Sequence, residues 1–395
     1  MKRILIISQN FYPELGSAAN RMKNLFLQLK AQGHQVYILT TDPSYPTREL
    51  FQDEKYWDNE FLNAISESEI IRLHMKCEKQ KNSLLGRMSY YLEFMFKIHY
   101  FVSKTDGLFD YIYVTSPNIF VPWGTMFLQP NQSKDVILEI RDLWPDSIVA
   151  LNKEYINNLI PLLRVMEKKM YNKADKIIVN NESFIPHIKA LLQKEKPILF
   201  IPNGMTKNEI AHQRHFDLFS VVYTGNLGLA QNYDQLKEIA IKLNQLQIQF
   251  NIIPYGVHAE KLSEFVSSHN FEFVHVYPTL TRTECMAFIS RHHLALSILK
   301  EEDVFLNVTP GKVIDAICAY VPVITNLGGS VEQLINSYQV GFAKQAATSE
   351  EMIEAIKKFK DDKKLWMLHQ LHTKQLAEEK FSWEVNIEKI IKFMR

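Results

Sequence analysis

The chain has 395 residues, roughly two to three times the length of a usual single domain, which predicts two domains. Lys and Arg together number 45 and Asp and Glu 44, so the net charge of +1 excludes a nucleic-acid partner held by bulk charge. Hydrophobic residues make up 46% of the chain, as in a folded globular protein, and the three cysteines fit neither a disulfide framework nor a metal site, which predicts a cytoplasmic protein.

Strands and helices alternate along the first half of the sequence. Residues 4–7 form a short apolar run typical of a buried parallel strand, and a polar loop over 9–19 separates this run from a helix over 21–31. A strand over 36–40 completes one βαβ unit. Further elements are a helix over 155–171 and strands at 111–114, 136–140, 176–179 and 198–201.

A second series of strands follows a polar stretch at 205–218 that has no clear periodicity. Strands are predicted at 221–226, 250–253, 273–276, 294–299 and 321–325, and the chain is helical from residue 350, with a last amphipathic helix over 383–394. The expected architecture is α/β, with two doubly wound Rossmann-like domains facing a central cleft. Their predicted extents are 1–205 and 206–380, and the C-terminal helix, 381–395, is expected to cross back onto the first domain.

In doubly wound domains ligands bind beyond the carboxyl ends of the strands, so the loops there hold the candidate site residues. After the first strand, Gly16 and Ser17 open a helix, where a backbone can approach an anion; the alternative is an ordinary βα loop. Tyr12 and Glu14 in the same loop are candidate acceptor contacts. The sequence has neither a nicotinamide-type G-x-G-x-x-G at this loop nor a nucleotide-hydrolysing P-loop.

The string Arg-Asp-Leu-Trp-Pro-Asp directly follows the strand at 136–140. We expect Asp142 to orient a hydroxyl, Arg141 to hold Asp142 or an anion, and Trp144 to form a wall against a sugar face. The alternative is a salt-bridged turn with Pro145 in it.

The second domain has three glycine-rich or basic turns at strand ends. Gly225 and Asn226 lie in a turn that resembles an anion-binding nest. Lys312 lies in the first turn of a helix that has Pro310 at its first position, where a phosphate meets both the helix dipole and an ammonium group. Asp315, one turn later, is suited to ribose hydroxyls, although an exposed Lys–Asp pair explains the same spacing. Gly328 and Gly329 open a further helix.

Taken together and in this order, these strings resemble the retaining GT-B glycosyltransferases called family 4, above all the bacterial enzymes that transfer amino sugars in capsule and O-antigen assembly. The strings that carry the resemblance span most of the chain: Gly16–Ala19, the Arg-Asp-Leu-Trp-Pro-Asp string at 141–146, Ile-Pro-Asn-Gly at 201–204, Tyr-Thr-Gly-Asn-Leu-Gly at 223–228 and Pro-Gly-Lys-Val-Ile-Asp at 310–315.

The resemblance implies a transferase that moves a sugar, of the N-acetylated hexosamine type, from a UDP-sugar to a polyprenyl-linked or other envelope glycan. It implies retention of configuration, no cofactor and no metal, with backbone N–H groups and basic side chains meeting the charge of the leaving group. The catalytic residues are expected to be Asp142, Arg141 and Lys312. The expected donor contacts are Gly16, Ser17, Gly225, Asn226, Lys312, Asp315, Gly328 and Gly329.

The sequence departs from the family pattern at several positions. Two glutamates eight positions apart in many relatives are Asn307 and Asp315 here, a common glycine is Tyr320, and a common Arg and Lys are Asn226 and Gln231. These departures keep a second hypothesis open, a catalytically impaired GT-B subunit that acts as a binding or scaffold partner. A third is a sugar-nucleotide 2-epimerase, which would need a denser set of carboxylates and histidines.

Residues 84–103 carry apolar side chains at helical spacing, and residues 72–104 hold seven Lys or Arg against two Glu. A helix lying in the interface of an anionic bilayer would have this composition, and so would a mostly buried helix of the first domain. The N-terminal run is too short for a signal peptide, and no stretch of about 18 apolar residues predicts a transmembrane helix. The expected location is the cytoplasm, at the inner face of the cell membrane, where a polyprenyl-linked acceptor would arrive.

Overall fold

A computed structural model describes residues 1–77, 84–127, 135–146, 160–209, 215–302, 306 and 308–395. The chain forms two compact units, the first made of Met1–Pro202 with Ile387–Arg395 and the second of Asn203–Asn386. The end of the chain therefore belongs to the first unit. There the Lys176 ammonium group donates to the carbonyl oxygens of Phe393 and Met394, at 2.9 and 2.7 Å, and so caps the C-terminal helix.

The first unit is built on a seven-stranded parallel sheet in the order β3-β2-β1-β4-β5-β6-β7. Its strands are β1 (Arg3–Ile7), β2 (Gln35–Thr41), β3 (Ile70–Leu73), β4 (Tyr111–Thr115), β5 (Asp135–Ile140), β6 (Lys176–Val179) and β7 (Ile198–Phe200). Its helices are α1 (Ser17–Ala31), α2 (Glu60–Asn63), α3 (Leu84–Lys104), α4 (Phe120–Met126), α5 (Ile160–Lys173) and α6 (Phe184–Leu191).

The second unit repeats this plan on a six-stranded parallel sheet in the order β10-β9-β8-β11-β12-β13. Its strands are β8 (Ser220–Asn226), β9 (Gln249–Tyr255), β10 (Val274–Val276), β11 (Leu294–Ser297), β12 (Val323–Thr325) and β13 (Gly341–Ala343). Its helices are α7 (Tyr233–Gln245), α8 (Ala259–Ser268), α9 (Arg282–Ser290), α10 (Gly311–Cys318), α11 (Gly329–Tyr338), α12 (Ser349–Asp361) and α13 (Lys363–Lys380); α14 (Trp383–Met394) begins in this unit and ends in the first.

Helices cover the sheets, which explains why the central strands are continuous apolar runs. All four residues from Ile4 to Ile7 in β1 are fully buried, as expected for a strand packed on both faces. In each unit the strand order reverses between the first and fourth strands of the sheet, β1 and β4 in one and β8 and β11 in the other. Such reversals open a crevice at the carboxyl ends of the strands, so each unit has its own candidate binding edge.

The sequence prediction of two doubly wound α/β units is confirmed, with local differences. The helix predicted from residue 21 begins at Ser17, and two short strands, β3 and β13, were not predicted. The predicted helix over 155–171 is described only from Ile160, because residues 147–159 lie outside the described part of the chain.

A buried histidine in the second unit is held in its neutral form. His292 donates from Nδ1 to the carbonyl oxygen of Phe288 at 2.8 Å and accepts at Nε2 from the Asn251 amide at 2.8 Å. A proton on Nε2 would face the Asn251 N–H group, and burial lowers the pKa of His292 to about 3. The protonated form is therefore far more stable in the unfolded chain than in the folded one.

We expect the free energy of unfolding to fall as the pH drops below about 6.5, where an unfolded histidine takes up a proton, and to go on falling toward pH 3. The contribution of His292 reaches at most about 1.4 kcal/mol per pH unit. Urea denaturation of the wild type and His292→Gln at pH 7.5 and 5.0 measures it, with exposed His275→Gln as the control. If the free energy of unfolding changed equally with pH in the wild type and in His292→Gln, the prediction would be wrong.

Candidate functional site

In the first unit, the loop after β1 ends at an uncapped helix start. Gly16 is the N-cap of α1 with φ 108°, a left-handed conformation that favours glycine, and it offers no side chain to the first-turn N–H groups. The first turn of α1 has no acidic residue, and Ser17 is exposed. These features suit the approach of an anion, as expected from the sequence.

Glu14, a candidate acceptor contact, forms hydrogen bonds to other residues of the first unit. The Glu14 side chain is buried, and its carboxylate accepts from the Asn10 side-chain amide at 2.7 Å and from the backbone N–H groups of Ser44 and Tyr45 at 2.8 and 3.0 Å. Glu14 thus holds two loops together, and an acceptor contact for it stays a prediction.

Tyr12, the second candidate in this loop, is also buried. Its hydroxyl accepts from the backbone N–H of Asn59 at 2.8 Å and donates to Oδ1 of Asn63 at 3.1 Å, and its ring packs edge-on against Trp57. Burial raises the pKa of Tyr12 to about 12. These contacts assign Tyr12 to the packing of its own region.

The residues that the sequence singled out lie in and next to the loop after β5, and their roles in the site stay predictions. Arg141 donates from Nε to the carbonyl oxygen of Ser116 at 2.8 Å, so it bridges the ends of β4 and β5. Burial lowers the pKa of Arg141. Trp144 packs partly against the apolar core, and Asp146 forms an ion pair with Arg164 of α5 at 2.5 Å. Asp142 is half-buried beside them.

A buried ion pair next to these loops was not predicted from the sequence. Arg21 of α1 meets Glu139 of β5 at 2.7 Å, with both side chains at most 1% exposed. Glu139 also accepts from the hydroxyls of Tyr113 and Thr115. Two features of the sequence could have indicated this pair: a single Glu inside the apolar run Val-Ile-Leu-Glu-Ile, and a single Arg on the buried side of α1. The pair ties α1 to the strand that leads into Arg141 and Asp142.

In the second unit, Lys312 is turned inward at the start of α10. Its ammonium group donates to the Tyr223 hydroxyl at 2.8 Å and to the Asn226 carbonyl oxygen at 3.3 Å, and it lies 4.1 Å from the centre of the Tyr223 ring. Burial lowers the pKa of Lys312 to about 7, although Asp315 acts in the opposite direction. Pro310 is the N-cap of α10 and not its first residue.

Gly225 lies directly beside this lysine. Its φ of 100° favours glycine, and a Cβ on it would lie 4.0 Å from Cε of Lys312. The structure therefore brings together Gly225, Asn226 and Lys312, which the sequence placed in one donor site. The alternative of an exposed Lys312–Asp315 pair is wrong, because Lys312 makes its hydrogen bonds to β8.

Asp315 has a different partner, Arg282 of α9. The guanidinium group binds the carboxylate with two hydrogen bonds, Nη1 to Oδ2 at 2.8 Å and Nη2 to Oδ1 at 2.7 Å. The two side chains are 17% and 20% exposed. Arg282 was not a candidate on sequence grounds, because nothing in its local pattern relates it to a residue 33 positions later.

Close packing explains the two glycines that open α11. A Cβ on Gly328 would meet the Gln345 side chain at 2.7 Å, and one on Gly329, with φ 60°, would meet the Leu306 carbonyl oxygen at 2.1 Å. The N-cap makes no side-chain hydrogen bond. A donor contact for Gly328 and Gly329 stays a prediction.

The departures from the family pattern have structural explanations at two positions. Gln231 accepts from the backbone N–H of Gly228 at 2.6 Å, so it stabilises the turn after β8. Tyr320 has φ 62°, the left-handed conformation that glycine adopts most easily, and its hydroxyl donates to Glu378 at 3.2 Å. Asn307 lies outside the described residues.

The described residues contain neither a cluster of metal ligands nor a membrane-spanning helix. No three His, Cys, Asp or Glu side chains among them are grouped as metal ligands. In the same part of the chain, every helix is too short or too polar to cross a bilayer.

No protein-family model matches the sequence. A curated protein of Escherichia coli (strain K12), described as a colanic acid biosynthesis glycosyl transferase, WcaI, is 20% identical over 293 residues, which is 69% of this chain and 71% of that protein.

Solved structures match the whole chain. Sucrose-phosphate synthase from Thermosynechococcus elongatus has a TM-score of 0.70 at 13% identity, over 100% of this chain and 98% of that one. Anabaena HepE, in complex with UDP and glucose, has a TM-score of 0.67 at 14% identity, over 100% and 99%. A Listeria monocytogenes protein described as a UDP-N-acetylglucosamine 2-epimerase has a TM-score of 0.60 at 13% identity, over 98% and 94%. The chain therefore shares the two-domain α/β fold, called GT-B, of these proteins.

Proposed function

We propose that this protein is a glycosyltransferase that uses a nucleoside diphosphate sugar, with the diphosphate bound at Lys312 in the second unit. One observation carries the proposal: Lys312 lies in the first turn of α10 and forms no ion pair among the described residues, while its ammonium group faces Tyr223 and Asn226. A half-buried cation without an ion-pair partner is costly, and a diphosphate would supply the counter-charge.

The chemistry follows from this placement. When the bond between sugar and diphosphate breaks, negative charge develops on the leaving oxygen. Lys312 and the N–H groups at the start of α10 would meet that charge, and the absence of a side chain at Gly225 leaves room for a phosphate next to the lysine. Asp315 would accept a ribose hydroxyl. In the first unit we assign Asp142 and Arg141 to the sugar and acceptor, and Gly16 and Ser17 to the donor.

We propose UDP as the nucleotide and an N-acetylated hexosamine as the sugar, transferred with retention and without a metal. The support is the resemblance of the sequence strings to amino-sugar transferases, together with the complex of HepE with UDP. The likeness to WcaI supports an envelope glycan as acceptor.

The acceptor side of the proposal rests on α3. One face of this helix is buried through Tyr90, Phe94 and Ile98, as expected for a helix that packs against the first domain. The opposite face exposes Leu92, Phe96 and Tyr100 at 37%, 57% and 66%, four residues apart and therefore in one stripe. In a segment with an excess of Lys and Arg, such a stripe suits the surface of an anionic bilayer, and we propose that it meets the cytoplasmic leaflet where a polyprenyl-linked acceptor resides.

Phe96→Asp should reduce binding to vesicles that contain about 30% anionic lipid by about tenfold, because a charge replaces the most central apolar side chain of the stripe. Phe61→Asp is the matched control, because Phe61 is also 57% exposed but lies on α2, outside the stripe. Vesicle co-sedimentation measures both. Equal binding of the two variants, or wild-type binding independent of anionic lipid, would contradict a membrane role for α3.

A panel of nucleotide sugars tests the function as a whole. A donor that binds the folded state raises the melting temperature, and incubation with that donor and a membrane lipid extract should release the nucleoside diphosphate and label the lipid fraction. Binding without release would favour the scaffold hypothesis, which the changes at Tyr320 and Gln231 keep open. Conversion of the donor sugar to its 2-epimer would favour the epimerase hypothesis, since the fold is shared with such a protein.

A further inference from the structure

Arg282, which pairs with Asp315, lies next to the proposed diphosphate site, and the proposed function gives this arginine no role. Asp315 follows Lys312 by three residues on α10, which places the two side chains on the same side of the helix. Arg282 is the first residue of α9, where Thr281 and Glu284 form a capping box that fixes the start of the helix. The guanidinium group thus approaches Asp315 from a rigid position.

Without Arg282 the charge at this site would be unfavourable for an anionic ligand. A carboxylate one helical turn from Lys312 repels a diphosphate and offsets the attraction of the lysine, and partial burial strengthens such interactions because screening by water is reduced. Glu209 is a second carboxylate that acts electrostatically on Arg282. Removal of Arg282 alone would take away the positive charge that is paired with Asp315 and acts on Glu209.

The hydrogen-bond geometry leaves Asp315 able to bind a ligand. Each carboxylate oxygen accepts one N–H group from Arg282 and can accept a further hydrogen bond. The two parallel bonds also fix the plane of the carboxylate. A ribose hydroxyl can therefore be accepted by an Asp315 group that is already oriented and neutralised.

We propose that Arg282 is a positioning residue for the nucleotide: it cancels the charge of Asp315, so that the Lys312 site accepts a diphosphate, and it fixes Asp315 for the ribose. The inference rests on the proposed function, because it assumes that a nucleoside diphosphate binds at Lys312.

Calorimetric titration with UDP, uridine and inorganic pyrophosphate separates the charge effect from a structural one. Arg282→Gln should weaken UDP binding about tenfold at 50 mM salt and less at 500 mM, because salt screens the repulsion. Its uridine affinity should fall by less than about threefold, because uridine carries no charge and loses only the fixed orientation of Asp315. Arg282→Lys keeps the charge and should stay within about threefold of the wild type for UDP. Arg282→Gln should weaken pyrophosphate binding as it weakens UDP binding. In the double variant Arg282→Gln/Asp315→Asn both charges are gone, so the pyrophosphate affinity should be within about threefold of the wild type.

Asp315→Asn alone serves as the second test if Arg282→Gln fails to fold, which its circular dichroism spectrum would show. This variant removes the repelling charge and keeps Arg282, so pyrophosphate should bind more tightly than to the wild type. Unchanged UDP affinity in Arg282→Gln, an equal loss for UDP and uridine, or weaker pyrophosphate binding by Asp315→Asn would each overturn the role of Arg282. A folded wild type that binds none of a panel of nucleoside diphosphates would instead overturn the proposed function, and with it this inference.

Discussion

Lys312→Met should lower the affinity for a UDP-sugar about 10- to 100-fold, because a hydrogen bond to a charged group contributes about 1.5–3 kcal/mol and Met cannot make it. Met has nearly the length of Lys and is apolar, so it fits the site beside Tyr223 without leaving a buried charge. Uridine affinity should stay within about threefold of the wild type, since the lysine is proposed to bind only the diphosphate. Isothermal titration with both ligands measures the contrast.

The same lysine predicts a pH dependence with a definite sign. With its pKa lowered to about 7 in the free protein, Lys312 loses its proton as the pH rises above 7. A bound diphosphate raises that pKa, so the complex holds more protons than the free protein and UDP-sugar affinity falls at higher pH. The diphosphate of a UDP-sugar is esterified at both ends and does not itself titrate in this range. Affinities at pH 6.5, 7.5 and 8.5 should decline in the wild type and stay level in Lys312→Met.

Two results would contradict this account of Lys312. A wild-type affinity that does not change from pH 6.5 to 8.5 would show that the lysine is fully charged without the ligand. A Lys312→Met variant that loses UDP and uridine binding to the same extent would show that the lysine stabilises the turn after β8 and not the diphosphate. Lys300→Met, an exposed lysine in the same unit, is the control for a nonspecific effect of charge.

The central strands could be predicted from the sequence because burial on both faces demands apolar runs. β1 and β5 are runs of this kind, whereas β3 and β13, which were missed, lie at the ends of their sheets. β3 reads Ile-Ile-Arg-Leu and β13 reads Gly-Phe-Ala, so neither has the length or composition of a buried strand. An edge strand needs only one neighbour, and its sequence is correspondingly less constrained.

The candidate site could be predicted where its residues come after strand ends, even though Lys312 lies 86 positions from Asn226. Gly225, Asn226 and Lys312 follow strand ends, and the rule for parallel sheets places such residues at one edge. Arg282 and the buried Arg21–Glu139 pair depend on contacts between residues 33 and 118 positions apart. No periodicity encodes such pairings, although a charged residue within an apolar run indicates that a partner exists.

Glu139→Gln should reduce the free energy of unfolding by about 3–5 kcal/mol, because it leaves the Arg21 cation buried without its counter-charge. Gln keeps the shape of Glu: its oxygen can still accept from the Tyr113 hydroxyl, and its amide N–H can donate to the Thr115 hydroxyl, which keeps its bond to the Ser116 carbonyl oxygen. The loss therefore measures the charge and not a cavity. Glu354→Gln is the control: it breaks an exposed ion pair with Lys357 at 2.9 Å and should cost less than about 1 kcal/mol. Urea denaturation followed by circular dichroism compares them.

The double variant Arg21→Met/Glu139→Gln decides whether the pair is stabilising or merely costly to break. Desolvation of two charges offsets most of their attraction, so removal of both should restore stability to within about 2 kcal/mol of the wild type. If the double variant is as unstable as Glu139→Gln, the charges do not act on each other and the loss comes from packing. Because Arg21 lies one turn after Ser17 and Glu139 two residues before Arg141, the pair fixes the spacing of both proposed loops. We therefore expect a stable double variant that still has reduced turnover, which would assign the buried pair to the geometry of the site.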